Sequence, residues 1–450
     1  MSVTTQEQAD TMLSSTPSAL RAWRVHVWVL VITLIAEMIG NVSVPLGIGT
    51  VVLLPLVWAM ILGAAVSIAS ARLPSPIGLS LGEQKAASTI IQAAVLIFVA
   101  KLALLVGGAI PELVKSGLAL VFQEVGHFLG TALLGLPIAL LLGIKREAVG
   151  ATFSVGREPS LAIISERYGM NSPEGRGVMA EYITGTVIGA IFIALVASFL
   201  TSLHIFNPLA LAMGAGVGSG SMMAAASGAI AAQQTPELSK QVAAFAAASN
   251  LITTTVGTYF TLFLSLPFSN FMYRLLEPRL GRLARARTKP ASDVEVKEHD
   301  QSVLPLLGLV GLLAIVAIYA LIFGNWITYH VPPTNAVLGA VIIAAVAAAG
   351  EILKRVLPFR VPAVFWATLI GMALTAPYWP GSAWFAATTG KMNFLALSTP
   401  VLTYAGLSLG KDLAAFRALG WRIVVTSLAA NAGTFIFATL IAEALMRSGS

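Results

Sequence analysis

The chain contains no cysteine, which excludes disulfides, thiolate metal sites and cysteine nucleophiles. It is also poor in charge. Only 10% of its 450 residues are Asp, Glu, Lys or Arg, against about 25% in ordinary soluble domains. A soluble fold of this length needs far more polar surface than that. The five histidines (His26, His127, His204, His299 and His330) are scattered and offer no zinc-binding spacing. Gly406 to Gly410-Lys411-Asp412 has its glycines too close together for a phosphate loop and lacks Ser or Thr after the lysine. ATP-driven transport within the chain is therefore not expected. No HExxH motif or nucleophile elbow is present, so neither an enzymatic activity nor a cofactor is expected.

What is abundant is apolar: 57% of residues are hydrophobic and the mean hydropathy is +0.85. Lipid must cover what water cannot. The expected fold class is an all-α polytopic membrane protein with about 12–13 transmembrane helices, each of roughly 20 apolar residues. Apolar runs lie at 27–45, 49–70, 88–110, 117–144, 178–203, 208–232, 241–272, 303–324, 335–352, 361–378, 393–410 and 419–446, with a less apolar segment at 149–170. The chain divides into a tail at 1–26, a transmembrane half at 27–272, a charged linker at 273–302 and a second half at 303–446. The tail is polar and the run after it lacks a convincing cleavage site, so no removable signal peptide is expected.

The formal net charge of +7 is mostly a topology signal and gives no reason to expect nucleic acid. With the N-terminus in the cytoplasm and 149–170 spanning, Arg72, Lys145, Arg146, the linker arginines, Lys354, Arg355, Lys411 and Arg422 all fall on the cytoplasmic side. Lys115, Arg167, Arg176, Lys240, Lys391 and Arg447 fall outside. The expected orientation therefore has the N-terminus in the cytoplasm and the C-terminus outside. The linker is a solvated connector that can also touch anionic lipid headgroups.

Pro111-Glu112-Leu113 ahead of a helix with Gly130-Thr131 is echoed by Lys411-Asp412-Leu413 ahead of one with Gly433-Thr434. The two helices run in opposite senses, as an inverted repeat requires. The most informative stretch is Gly214-Ala215-Gly216-Val217-Gly218-Ser219-Gly220-Ser221, in the middle of an apolar run. Each glycine costs a helix roughly 0.8–1 kcal/mol relative to alanine. Either the helix is broken there, exposing backbone groups to an ion or polar substrate, or its small residues permit tight helix packing.

A second break is expected near Pro159, in Gly156-Arg157-Glu158-Pro159-Ser160. A half-helix from Ser160 would present its N-terminus to an anion, with Arg157 adding a full charge. The plainer alternative is an Arg157–Glu158 pair satisfied by neighbours or lying near the interface. Gln123, Glu124 and His127 share one helix region and suit a proton relay, a coupling-cation site or inter-helix hydrogen bonding. Asn250, Thr253 and Thr254 offer oxygens suited to sodium, or hydroxyls bonded to their own backbone. Glu181, Glu37 and Lys101 are further charged candidates inside apolar segments.

From Phe153 to Leu264 the sequence resembles the LrgB/CidB-type membrane family, which includes the plastidal glycolate/glycerate translocator. The resemblance rests on Ser154-Val155 and a following proline, Ala162-Ile163-Ile164-Ser165-Glu166, the Thr184–Ala190 helix and the small-residue segment Gly214–Gly228. The chain departs from that family in having Arg157-Glu158 where Thr-Thr precedes the proline, in lacking its histidine, and in its extra C-terminal helices. The departures point to a separate, uncharacterised bacterial family within the wider inverted-repeat group of carboxylate and amino-acid transporters. The resemblance implies small organic anions as cargo.

The resulting expectation is a secondary transporter of a small organic anion, coupled to a proton or sodium ion and open to homodimerisation. Substrate contacts would come from Arg157, Glu158, Ser160, Gly214, Gly216, Gly218, Ser219, Gly220 and Ser221. Ion coupling would use Glu124, His127, Glu181, Asn250, Thr253 and Thr254. A holin-like pore or regulator of cell-wall turnover is the rival reading.

Overall fold

Proline and side-chain caps set where many of the helices begin. α1 spans Trp23–Ile39 and leads into a hairpin of β1 (Val42–Leu46) and β2 (Gly49–Leu53), after which α2 (Pro55–Ala69) opens on a proline. α3 (Leu81–Gly108), α4 (Ile110–Lys115) and α5 (Gly117–Leu141) follow, then α6 (Glu147–Thr152) and α7 (Arg157–Tyr168). α8 (Pro173–Thr184) passes through a π-turn at Gly185–Gly189 into α9 (Ala190–Ser202). Pro173 is its first residue and the Ser172 hydroxyl accepts from Gly175 N at 2.9 Å, so the orphan N–H groups of the first turn are partly met. Asn207 caps α10 (Pro208–Ala215) in the same way, its Oδ1 2.9 Å from Leu209 N. α11 (Gly220–Ala231), α12 (Pro236–Thr255), α13 (Gly257–Phe260), a π-turn at Thr261–Ser265 and α14 (Leu266–Leu283) complete the middle of the chain. The last part comprises α15 (Leu306–Tyr319) with a π-segment to Thr328, α16 (Pro333–Val356), α17 (Ala363–Thr375), α18 (Ser382–Gly390), α19 (Phe394–Ser408), α20 (Leu413–Ala418) and α21 (Trp421–Ser448). The structure is a computed structural model that describes residues 22–74, 77–170, 172–216, 218–255, 257–283, 305–358 and 362–448, without certain side chains, Arg157, Glu158 and Pro159 among them.

Among the described residues six helices are individually long and apolar enough to cross a membrane: Leu81–Gly108, Gly117–Leu141, Pro173–Ser202, Leu306–Thr328, Pro333–Val356 and Trp421–Ser448. α18 and the α19 run to Asp412 form a further pair bent by 57°. Large apolar side chains stand on the outside of the helices, Leu307 at 88% and Phe263 at 73% exposure, as a lipid-covered surface requires. The chain is an all-α, multi-pass membrane protein.

Two compact units divide the chain, and they interleave the sequential halves 27–272 and 303–446 instead of coinciding with them. One comprises residues 1–42, 54–108 and 297–411; the other comprises 43–53, 109–296 and 412–450. The cause is pairing across the sequence. In the first unit α2 packs on α19, where a Cβ on Gly63 would lie 2.9 Å from Thr403 O, and α17 packs on α3, where one on Gly371 would lie 2.6 Å from Ala103 Cβ. In the second unit α5 packs along α21. Gly126 faces Phe437, Gly130 faces Gly433 and Gly135 faces Ala430, so the two helices are antiparallel.

The Gly130–Gly433 crossing is reciprocal: a Cβ on either glycine would come within 2.4 Å of the other's carbonyl oxygen. An offset of 303 residues (433 less 130) also carries the bounds of α4 onto those of α20 and the start of α5 to within a residue of α21. The two helices of this crossing run in opposite directions, the sense that an inverted repeat requires of them. The Gly-Thr half of the sequence echo falls at equivalent places. The tripeptide half does not, because the offset pairs Pro111 with Ala414.

Three other expectations are corrected. The run 49–70 begins as a strand: Thr50 N and Val52 N on the hairpin edge donate to Ser202 and Ser198 hydroxyls on α9, each at 2.7 Å, which satisfies backbone that a helix would satisfy internally. The linker assigned to 273–302 is helical up to Leu283, where α14 ends; its remainder, 284–302, and the tail before residue 22 lie outside the described residues. The break near Pro159 lies upstream of it, and α7 starts at Arg157 instead of Ser160. Pro159 fits inside the first turn because N–H groups there have no intrahelical acceptor anyway.

Candidate functional site

The glycines between α10 and α11 serve two purposes. Gly214 and Gly216 are close-approach positions: an added Cβ would lie 2.2 Å from Thr439 Oγ1 at the first and 2.4 Å from Ser249 Cβ at the second. Gly218 has φ +84°, which L side chains rarely adopt, and it ends the helical path. Ser219 then restarts it as the cap of α11, its hydroxyl 3.4 Å from Met222 N and 3.1 Å from the Ser221 hydroxyl. Broken helix and tight packing are therefore both present, at different glycines. Gly220 is the first residue of α11.

A break inside an apolar bundle leaves carbonyls that need donors. Asn250 on α12 supplies them, its Nδ2 2.7 Å from Gly216 O and 3.3 Å from Gly218 O. One residue earlier, the Ser249 hydroxyl donates to Met213 O at 2.7 Å and accepts from Gln123 Nε2 at 3.0 Å. That contact leads from the break to α5. Gln123 Nε2 also donates to Glu124 Oε1 at 2.8 Å, Thr253 Oγ1 donates to the same oxygen, and His127 Nδ1 lies 3.1 Å from Glu124 Oε2. Gln123, Glu124, His127 and Ser249 are all at most 2% exposed. Two of their atoms, Gln123 Oε1 and His127 Nε2, have no hydrogen-bond partner among the described residues.

The second break, between α6 and α7, reaches the same part of α5 from the side of α14. The Ser265 hydroxyl, at the end of the π-turn before α14, lies between the carbonyls of Phe128 (2.9 Å) and Phe153. Phe153 begins the break, and Ser154 Oγ holds it by accepting from Gly156 N at 3.0 Å. Ser160, in the first turns of α7, is fully buried, and its hydroxyl has no partner among the described residues. Both broken helices thus lean on α5 within Gln123–Phe128. The π-turns add to the irregularity: in the turn after α8, a Cβ added to Gly189 would lie 3.7 Å from Met222 of α11.

Glu181 on α8 lies on the other side of the α5–α21 crossing. Asn431 Nδ2 on α21 is 3.4 Å from its Oε1 and 2.8 Å from Ser427 O. Thr184 Oγ1, Ser427 Oγ and Asn431 Oδ1 are buried without partners among the described residues. Glu124 and Ser427 each precede their crossing glycine by six residues, roughly 9 Å of helix, in opposite directions. The second unit therefore carries two polar clusters, one on either side of the crossing.

Of the residues singled out in the sequence, Glu124, His127, Asn250 and Thr253 form one network with the Gly216–Ser221 break. Thr254 is exposed and bonds to Asn250 O at 2.8 Å, its own backbone. Arg157 and Glu158 open α7, but their side chains lie outside the described residues. Ser249, Ser265, Thr184 and Ser427 were not legible as site residues, since a serine or threonine on an apolar helix looks the same whether it bonds to its own turn or to another helix. Among the described residues no three His, Asp or Glu side chains gather as a metal site.

The model of one family, described as protein of unknown function (DUF3100), matches residues 34–275, more than half of the chain. No curated protein and no solved structure matches it.

Proposed function

The chain belongs to the DUF3100 family, and we propose that it is a secondary transporter of a small organic anion, a carboxylate or amino acid, driven by a proton or sodium gradient across the bacterial inner membrane. The observation that carries the reading is the convergence of two helix breaks on one buried polar stretch of α5. Non-helical backbone inside lipid is tolerated where it lines a cavity for something polar, and inverted repeats with broken helices are a transporter architecture. A helix that only had to span would have no use for Gly218 at φ +84° or for an asparagine spent on two loop carbonyls.

The anion is assigned to the N-terminus of α7, where Arg157 adds positive charge to the helix end and Ser160 offers its hydroxyl. The resemblance to the LrgB/CidB-type family over 153–264 supports the same class of cargo. The N-terminus is assigned to the cytoplasm and the C-terminus to the outside on the distribution of lysine and arginine. A holin-like pore is the competing reading.

Purified protein in liposomes, given a panel of labelled organic acids and amino acids under imposed proton and sodium gradients, tests this. Saturable uptake that needs a gradient and is lost in Arg157→Gln is the expected result. Non-saturable leak of unrelated solutes, unaffected by Arg157→Gln, establishes the pore instead.

A further inference from the structure

The Glu124–His127 pair differs chemically from the cluster around Glu181, and the difference bears on the coupling ion. Both oxygens of Glu124 already accept hydrogen bonds: Oε1 from Gln123 Nε2 at 2.8 Å and from Thr253 Oγ1, and Oε2 from His127 Nδ1 at 3.1 Å. A sodium ion prefers oxygen ligands with free lone pairs, as other hard cations do. Here it would have to displace three donors, and the atoms left open are one amide oxygen and one imidazole nitrogen. The His127 tautomer that suits a facing carboxylate has its proton on Nδ1, and in that tautomer Nε2 keeps a bare, buried lone pair.

We propose, resting on the transporter reading above, that the coupling ion is a proton and that His127 Nε2 is the atom that carries it. Nε2 takes a proton from a hydronium ion through its lone pair: an O–H bond breaks, water leaves, and the new N–H bond makes an imidazolium. Glu124 balances that charge through the Nδ1–H bond, and the pair passes from a net charge of −1 to zero. In an apolar surrounding, where the His127 ring stacks on Phe128 at 4.5 Å and Phe128 on Phe260 at 5.4 Å, the loaded pair is the neutral one.

No other charge intrudes. Glu124 and His127 make their polar contacts only with each other, Gln123 and Thr253 among the described residues. The titratable groups on the helices packed against α5 are engaged or remote. Glu147 on α6 pairs with Arg176, Glu277 on α14 with Lys145, and Glu443 on α21 with Arg447. Tyr273 of α14 lies against Arg146, and Arg274 and Arg279 occupy the later turns of that helix. Glu237 and Lys240 lie in the first turns of α12, about 18 and 14 Å of helix before Ser249. Arg422 is in the first turn of α21, Glu112 and Lys115 are on α4, and Tyr259 of α13 is 65% exposed.

The test is nitrogen NMR of the full chain in nanodiscs, labelled at its five histidines. His127→Gln assigns the signal by its loss; if that variant does not fold, Glu124→Gln assigns it by its shift. In alkaline buffer His127 should show a protonated Nδ1 and a bare Nε2. On acidification Nε2 should gain a proton, and sodium should leave the spectrum unchanged. A His127 Nε2 that stays bare throughout the series overturns the proposal. So does radiolabelled sodium binding that is lost in Glu124→Gln. Sodium binding lost instead in Asn431→Ala and Ser427→Ala, with His127 not titrating, assigns coupling to the oxygen cluster at Glu181 and also overturns it. The measurement needs no cargo, so a failure of uptake in liposomes and a failure of proton binding are separately visible.

Discussion

Replacing Asn250 with alanine probes whether the α10–α11 break is held from outside or is stable by itself. The Asn250 amide donates to Gly216 O at 2.7 Å and Gly218 O at 3.3 Å and is 4% exposed. Alanine leaves both carbonyls without that donor, and each buried acceptor so stranded costs about 1–3 kcal/mol. The longer bond belongs at the low end of that range, so the sum is about 2–4 kcal/mol. That corresponds to roughly a 30- to 700-fold fall in the ratio of folded to unfolded protein, at about 1.4 kcal/mol per factor of ten. Thr254→Val is the control: its hydroxyl is exposed and bonds within its own helix, so the change should stay within about 0.5 kcal/mol. Equilibrium unfolding in mixed micelles reads the stability. Because the chain has no cysteine, a single Ser219→Cys reports the break directly through its rate of thiol labelling. Labelling should accelerate when Asn250→Ala is added. Unchanged stability together with unchanged labelling would refute the idea that Asn250 holds the break.

Other outcomes follow from the same packing. Gly130→Ala places a Cβ about 2.4 Å from Gly433 O, so α5 and α21 must part by about 1 Å; overpacking of this kind costs about 1–3 kcal/mol, partly offset by alanine's helix propensity. Gly433→Ala should behave alike, and the double variant should cost clearly less than the two single losses added, since one separation accommodates both methyls; additive losses would contradict the reciprocal crossing. Arg146 binds Glu174 and Asn270 while lying over the Tyr168 and Tyr273 rings, at 5.8 and 5.3 Å. Arg146→Gln strands the Glu174 carboxylate and should lower stability by about 2–3 kcal/mol, with Arg146→Lys intermediate because it keeps charge but not the planar fork. Anions that raise the melting temperature of the wild type should lose that effect in Arg157→Gln; equal stabilisation of both proteins rules out the assignment of cargo to α7.

Composition was enough to determine the solvent. With 10% charged residues the chain had to be covered by lipid, and lipid admits helices because they satisfy their own backbone. Local sequence likewise narrowed the run around Gly218 to a broken helix or a tightly packed one, and set Gln123, Glu124 and His127 close together. What the sequence did not carry is which helix meets which. α5 finds α21 some three hundred residues away because glycines on both let the backbones touch, and such small residues occur throughout the chain. The same ambiguity hid Ser249 and Ser265, whose hydroxyls matter only because tertiary packing sets them beside α5. Periodicity and propensity act within a few turns, whereas a polar network at membrane depth is assembled from helices that only the packed bundle brings together.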